Sequence, residues 1–135
     1  ADLKPAHSKI LNEWLAAHKG WRLALGKDYG SEYLKNYRQQ EGANAQPFYA
    51  VQDFNADKKE DFAVILIKGK MHAVIVFNAP FNAAKPAFFT TEIEADDILY
   101  YNKNSKLLLV GPYESDAGFM LKPRGKTYQA AYFDG

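Results

Sequence analysis

Residues 62–77 read FAVILIKGKMHAVIVF, and this stretch decides the fold. Two apolar runs, Phe62–Ile67 and Met71–Phe77, flank Lys68, Gly69 and Lys70, which reads as a β-hairpin closed by a short glycine-containing turn. Neither run alternates apolar with polar residues, as a strand with one wet face would. Both faces of the hairpin are therefore expected to be covered, which puts it at the centre of a sheet. The longer wholly apolar run, Phe62–Ile67, is far too short to cross a bilayer, so no membrane span is expected.

Before the hairpin the period is helical. Pro5 suits the first turn of a helix and Gly20 the left-handed position just past its end, so the spacing predicts a helix over Pro5–Lys19 with Ile10, Leu11, Trp14 and Leu15 as its apolar stripe. Trp21, Leu23 and Leu25 then alternate with Arg22 and Ala24, a short strand. A second helix is predicted over Ser31–Gln40, with Ser31 as its cap and Tyr33, Leu34 and Tyr37 on its buried side. Phe48–Val51 reads as a strand and Asp53–Asp61 as a polar loop. After the hairpin, Phe88–Glu94, Ile98–Tyr101, Lys106–Val110, Gly118–Leu121 and Thr127–Phe133 read as a meander, punctuated by turns at 102–105 and 123–125. The expectation is an α+β fold, in which two N-terminal helices pack against an antiparallel, meander-like β-sheet, in a single domain over residues 1–135.

Composition agrees and excludes several function classes. With 47% hydrophobic and 15% aromatic residues in 135, the chain supports a core that buries roughly two-thirds of its unfolded surface, and it is too apolar for disorder. The absence of cysteine removes disulfides, thiol nucleophiles and cysteine-ligated zinc. The net charge of +1 hides segments of alternating sign: positive over 1–40, negative over 41–67, positive over 68–91, negative over 92–116 and positive over 117–135. No block of like charge forms the basic footprint that nucleic acid requires, so no nucleic-acid partner is expected. The chain starts at Ala1 rather than a methionine, which suits a processed exported protein and a trimmed chain equally.

One constellation has a specific spacing. In DFNADKKED, Asp53, Asn55, Asp57 and Asp61 occupy positions one, three, five and nine, and the Lys59 carbonyl occupies position seven. Calcium is a hard cation that takes six to eight oxygens, and a loop offering alternate side-chain oxygens plus one carbonyl meets that need. The loop is not an EF-hand, because Val64 stands where the bidentate glutamate would be and strands replace the flanking helices. Lys58 holds the position where such loops turn sharply on a glycine; a left-handed backbone there costs it roughly 1–2 kcal/mol. The alternative is a metal-free turn in which the Asp and Asn side chains accept backbone N–H groups. Both readings stay open here.

The run DFNADKKEDFAVILI, an acidic loop followed directly by an apolar strand, resembles the calcium loops of FG-GAP-type repeats. Together, WRLALGKDYGSEYL and QPFYAVQDFNADKKEDFAVILI are similar to small exported bacterial proteins of unknown function that carry one such loop. The resemblance covers about a third of the chain, Trp21 to Ile67. It implies a periplasmic or extracellular location, and it implies Asp53, Asn55, Asp57, Lys59 and Asp61 as ligands of Ca2+. It implies no activity. Lys58 in place of the usual glycine is the departure from the pattern.

Candidates for catalysis are few. His7 and His18 border the apolar stripe of the first helix, where packing is the ordinary role. The serines at 8, 31, 105 and 115 lie in no nucleophile elbow, and no phosphate-binding or zinc-binding motif is present. Glu92 and Glu94 fall on one face of a predicted strand, an arrangement open to a small carboxylate-dependent hydrolase or to the solvated edge of a sheet. Among nine tyrosines, Tyr29, Tyr33 and Tyr37 are four residues apart, and Tyr100 and Tyr101 point to opposite sides of a strand. Exposed tyrosine gives contact area at low rotamer cost. The expectation is thus a non-enzymatic exported module that binds a protein or cell-envelope component through tyrosine-bearing surface. A hydrolase, or a homodimer completing the two-sided hairpin, stands as the alternative.

Overall fold

The computed structural model describes residues 3–115 and 117–133. In chain order the elements are α1 (Pro5–Ala17), β1 (Arg22–Leu23), α2 (Ser31–Glu41), β2 (Tyr49–Gln52), β3 (Asp61–Lys68), β4 (Met71–Phe77), β5 (Phe88–Thr90), β6 (Asp97–Asn102), β7 (Leu107–Pro112), β8 (Phe119–Arg124) and β9 (Thr127–Tyr132). β3 and β4 form the expected antiparallel hairpin, in register from Phe62 opposite Phe77 to Lys68 opposite Met71. Gly69 supplies the positive φ of +61° that the tight turn requires.

The hairpin is central, and each of its faces has its own cover. Phe62, Val64, Leu66, Ala73, Ile75 and Phe77 point one way and pack under Leu11 and Trp14 of α1. Ala63, Ile65, Ile67, Val74 and Val76 point the other way, into a second cluster with Ile98, Leu99, Leu108, Val110, Phe119 and Leu121. Residues 62–66 and 73–77 are at most 1% exposed. At about 1.5–3 kcal/mol for each fully buried large aliphatic or Phe side chain, this hairpin is the main apolar anchor of the chain. Both faces are covered by the same chain, so the hairpin needs no second copy to complete it.

The fold is α+β with N-terminal helices, but the strands form two antiparallel sheets rather than one. The first runs β1-β3-β4-β5, with β2 sharing the β1 edge of β3; the second is the meander β6-β7-β8-β9. The division follows from the segment after Phe88. The expected strand Phe88–Glu94 ends at Thr90, where the Thr90 hydroxyl oxygen accepts the Glu92 N–H at 3.2 Å. The Asp97 carboxylate then accepts the Glu94 N–H at 2.8 Å, turning the chain into β6. Glu92 and Glu94 therefore lie in an irregular connection, not on one strand face.

Other boundaries shift for local reasons. α1 stops at Ala17, because His18 leaves helical geometry and its Nδ1 bonds the Trp14 carbonyl at 2.8 Å. β1 is cut short where the Leu25 N–H turns to the Asp28 carboxylate at 2.8 Å, opening a 3-10 turn over Gly26–Asp28. Gly30, not Ser31, is the N-cap of α2, and no side chain caps it. None of the described helices is long and apolar enough to cross a membrane.

α2 is fastened to the second sheet through tyrosine hydroxyls. Tyr29 donates to the Asp97 carbonyl at 3.0 Å and Tyr33 to the Asp96 carbonyl at 2.7 Å. The Tyr33 oxygen also accepts the Tyr113 N–H at 2.7 Å. Tyr37 is buried with its ring edge-on to Tyr113, centroids 5.2 Å apart. Burial pushes the Tyr37 hydroxyl up to about 12, with help from Glu41, so it stays neutral.

Candidate functional site

Two places bear on function. The first is the acidic loop, held between the ends of β2 and β3. The structure brings together Asp53, Asp57 and Asp61, each offering a carboxylate oxygen within 4.8 Å of the others. Asn55 sits among them, and with its amide nitrogen turned inward it donates to Asp53 Oδ1 and Asp57 Oδ1, both at 2.9 Å. Lys59 enters through its N–H, which donates to Asp57 Oδ1 at 2.9 Å. The sharp turn expected at Lys58 is present, with φ of +68°, and Ala56 adds a second left-handed residue at +61°.

The same carboxylates hold the backbone. Asp53 Oδ1 accepts the N–H groups of Asn55 and Asp57 at 3.3 and 3.2 Å, and its Oδ2 accepts that of Lys58 at 2.7 Å. Asp61 is fully buried. Its Oδ2 accepts the Phe54 N–H and its Oδ1 the Ala79 N–H, each at 3.0 Å. It therefore ties the loop to the chain leaving β4. Burial raises the Asp61 pKa above the usual carboxylate range despite those two donors, with Asp57 and Asp53 adding repulsion. At Asp53 burial also pulls upward, but the backbone N–H groups of Lys58, Asp57, Asn55 and Ala56 outweigh it and hold the carboxyl below that range.

The donor set fits a hard cation in type, three carboxylates and an amide at short range. A cation would need Asn55 to present its oxygen instead of its N–H groups. The loop is thus a self-closed turn whose residues could also hold a metal ion.

The second place is a cleft of about 510 Å³ on the second sheet. Ile98 and Tyr100 of β6 and Leu109 of β7 form its floor, Gln40 and Glu41 at the end of α2 form one wall, and the chain around Tyr113 and Glu114 forms another. Phe133 also lines it. Two glycines set the second wall. A Cβ on Gly118, at φ +106°, would overlap the Val110 carbonyl oxygen, and a Cβ on Gly111 would overlap the Ala117 carbonyl oxygen. The backbones of β7 and the entry to β8 therefore pinch together beside the floor. Glu41 Oε2 accepts the Tyr113 hydroxyl at 2.8 Å and locks the two walls to each other. Burial and Glu41 together push the Tyr113 hydroxyl upward, so it remains a donor.

The tyrosines singled out in the sequence divide between packing and display. Tyr29 and Tyr37 are buried, and Tyr33 spends its hydroxyl on backbone partners. Tyr100 is 43% exposed in the cleft, while Tyr101 turns inward beside Phe54, centroids 6.2 Å apart. His7 is a packing residue: 4% exposed, stacked on Phe62 at 4.2 Å and bonded through Nδ1 to the Tyr49 hydroxyl at 2.7 Å. His18 stacks on Trp14 at 3.9 Å. Glu92 accepts the Tyr132 hydroxyl at 3.2 Å and lies outside the cleft. Sequence reasoning missed the cleft because its lining comes from four separated segments, near 40, near 99, between 109 and 117, and at 133. The pair Gly111 and Gly118 was the one local signal of a close backbone approach. Comparison with protein-family models, curated protein sequences and solved structures finds no significant match.

Proposed function

We propose that this chain is a non-enzymatic, exported bacterial binding module that engages a protein or cell-envelope component through the tyrosine-bearing surface of its second sheet. The observation that carries this reading is the cleft, which sets the exposed ring of Tyr100 between two braced walls. Its volume falls in the range of roughly 300–1,000 Å³ common for ligand sites. An aromatic ring on a strand, flanked by amide and carboxylate side chains, offers contact area and orienting hydrogen bonds without a large ordering cost. The location and bacterial origin rest on the resemblance of residues 21–67 to exported proteins with an FG-GAP-like loop.

In this reading the loop of Asp53, Asn55, Asp57, Lys59 and Asp61 is structural and takes Ca2+ weakly. With a dissociation constant of order 10⁻⁴ M, millimolar calcium adds only about 1.4 kcal/mol. Thermal unfolding in calcium against EDTA tests this, and an identical midpoint in both removes the metal. The module itself is tested by capture from an envelope fraction of the source organism with wild type and Tyr100→Ala side by side. A partner retained by wild type and lost by the variant is expected; equal capture by both refutes the role of this surface.

A further inference from the structure

The cleft has a chemistry that its shape alone does not reveal. Among the described residues, two carboxylates line it, Glu41 and Glu114, and no lysine, arginine or histidine does. Glu114 is exposed and held on a left-handed backbone at φ +57°. Glu41 is fixed by the Tyr113 hydroxyl through Oε2, and among the described residues its Oε1 carries no hydrogen bond. The aromatic ring of Tyr100 on the floor and that of Phe133 complete the lining.

We infer that this cleft binds an organic cation, an ammonium or guanidinium group carried on an aliphatic stem. The inference rests on the binding-module reading and names the ligand class of that site. Three features converge on it. Any ligand that closes over Glu41 and Glu114 strips water from two negative charges, and only a positive ligand returns that cost as ion pairing. An anion is repelled, and a neutral sugar compensates the carboxylates with hydrogen bonds alone. Aromatic rings in the lining suit a cation through their quadrupole, and Leu109 suits an aliphatic stem. The Glu41–Tyr113 bond holds the cleft open before the ligand arrives, which reduces the ordering cost of binding.

The source of the cation is either a lysine or arginine side chain of a partner protein or a free amine, and different probes separate them. The whole chain, labelled with 15N, is titrated with Nα-acetyl-lysine methylamide, Nα-acetyl-arginine methylamide, cadaverine and, as the neutral probe, maltotriose. Saturable shifts at the amides of Tyr100, Leu109 and Tyr113 are expected with the cations, weakening at high salt. The two capped amino acids binding more tightly than cadaverine assigns the cation to a partner's side chain, and the reverse order assigns it to a free amine; either order supports the ligand class. Tyr100→Leu is expected to weaken binding about two- to fivefold, and Glu114→Gln to remove much of the salt dependence. Both residues are exposed, and thermal melts matching wild type establish that the variants fold. Shifts with maltotriose but not with the cations, or no saturable shift with any probe, overturn the inference. The titration uses no envelope partner. Cations that leave the cleft untouched while capture still depends on Tyr100 refute the ligand class alone; binding of cations without Tyr100-dependent capture refutes the module reading alone.

Discussion

Replacing Asp61 tests how the acidic loop is held. Its carboxylate is fully buried and takes two backbone N–H groups, Phe54 from the loop and Ala79 from beyond β4, each at 3.0 Å. A hydrogen bond to a charged group contributes about 1.5–3 kcal/mol. Asp61→Ala removes both acceptors and leaves one buried and one part-buried donor unpaired, an expected loss of about 2–4 kcal/mol. Asp61→Asn keeps one acceptor and sets an amide NH2 against the other N–H. Because the buried charge is itself costly, its loss offsets part of the damage, and about 1–2 kcal/mol is expected. The pH dependence has a definite sign. Burial raises the folded pKa of Asp61 above its unfolded value, so its stabilising contribution is complete below the unfolded carboxylate range and is lost as pH rises through the folded pKa. The advantage of wild type over Asp61→Asn should therefore be larger near pH 3 than at pH 7. Urea denaturation followed by circular dichroism measures this as a shift in midpoint at constant slope. An alanine variant within about 1 kcal/mol of wild type, or an advantage over asparagine that grows with pH, refutes the reasoning.

Three further outcomes are expected. Arg22 grips Asp28 through two bonds of 2.7 and 2.8 Å and lowers the Asp28 carboxyl to about 2. Its contribution is therefore present above the ordinary carboxylate range and lost as pH falls through about 2; with Arg22 half exposed it amounts to about 1 kcal/mol, and Asp28→Asn should shift the acid-unfolding midpoint upward. Burial, with Lys4 nearby, lowers the pKa of His7, so the unfolded chain binds the proton first and stability falls as pH drops through the ordinary imidazole range. His7→Gln should flatten the stability profile between pH 7 and 5 in chemical denaturation. Gly118→Ala meets both a left-handed φ and the Val110 carbonyl, for about 2–4 kcal/mol in thermal unfolding; Gly125→Ala, left-handed but with open space, should cost no more than about 1–2 kcal/mol.

What the sequence disclosed follows the range of the interactions. The unbroken apolar runs of Phe62–Ile67 and Met71–Phe77 could only be covered twice, and α1 and the second sheet supply the covers. The D-x-N-x-D spacing is local, so the meeting of Asp53, Asp57 and Asp61 was legible, as was the sharp turn at Lys58. Glu92 and Glu94 misled because alternation predicts a strand only where a neighbour exists to pair with, and the Thr90 hydroxyl turns the chain away after three residues. The break into two sheets depends on that same event. The buried side of α2 was legible from its spacing, but the backbone carbonyls that take the Tyr29 and Tyr33 hydroxyls lie more than sixty residues away. No local pattern encodes such a partner, nor a cleft walled by residues near 40 and near 114.

β1 and β2 lie on the same edge of β3: the chain departs that edge after Ala24, whose N–H donates to the Ile65 carbonyl at 2.9 Å, and returns to it at Phe48. The excursion between them carries α2, and on its return the Pro47 carbonyl takes the Leu99 N–H of the second sheet at 2.8 Å while the Phe48 carbonyl takes the Ile65 N–H of the first at 2.9 Å. Residues 24–48 therefore behave as a buckle. Its clasp is the Tyr29 and Tyr33 hydroxyls together with the burial of Ala24, Tyr29, Tyr37 and Phe48, and none of these lies between β3 and β4. Amides of α2 should lose hydrogen-exchange protection before those of the hairpin, at an opening free energy below the global value. Because Glu41 rides on that buckle, the mouth of the cleft inherits its breathing.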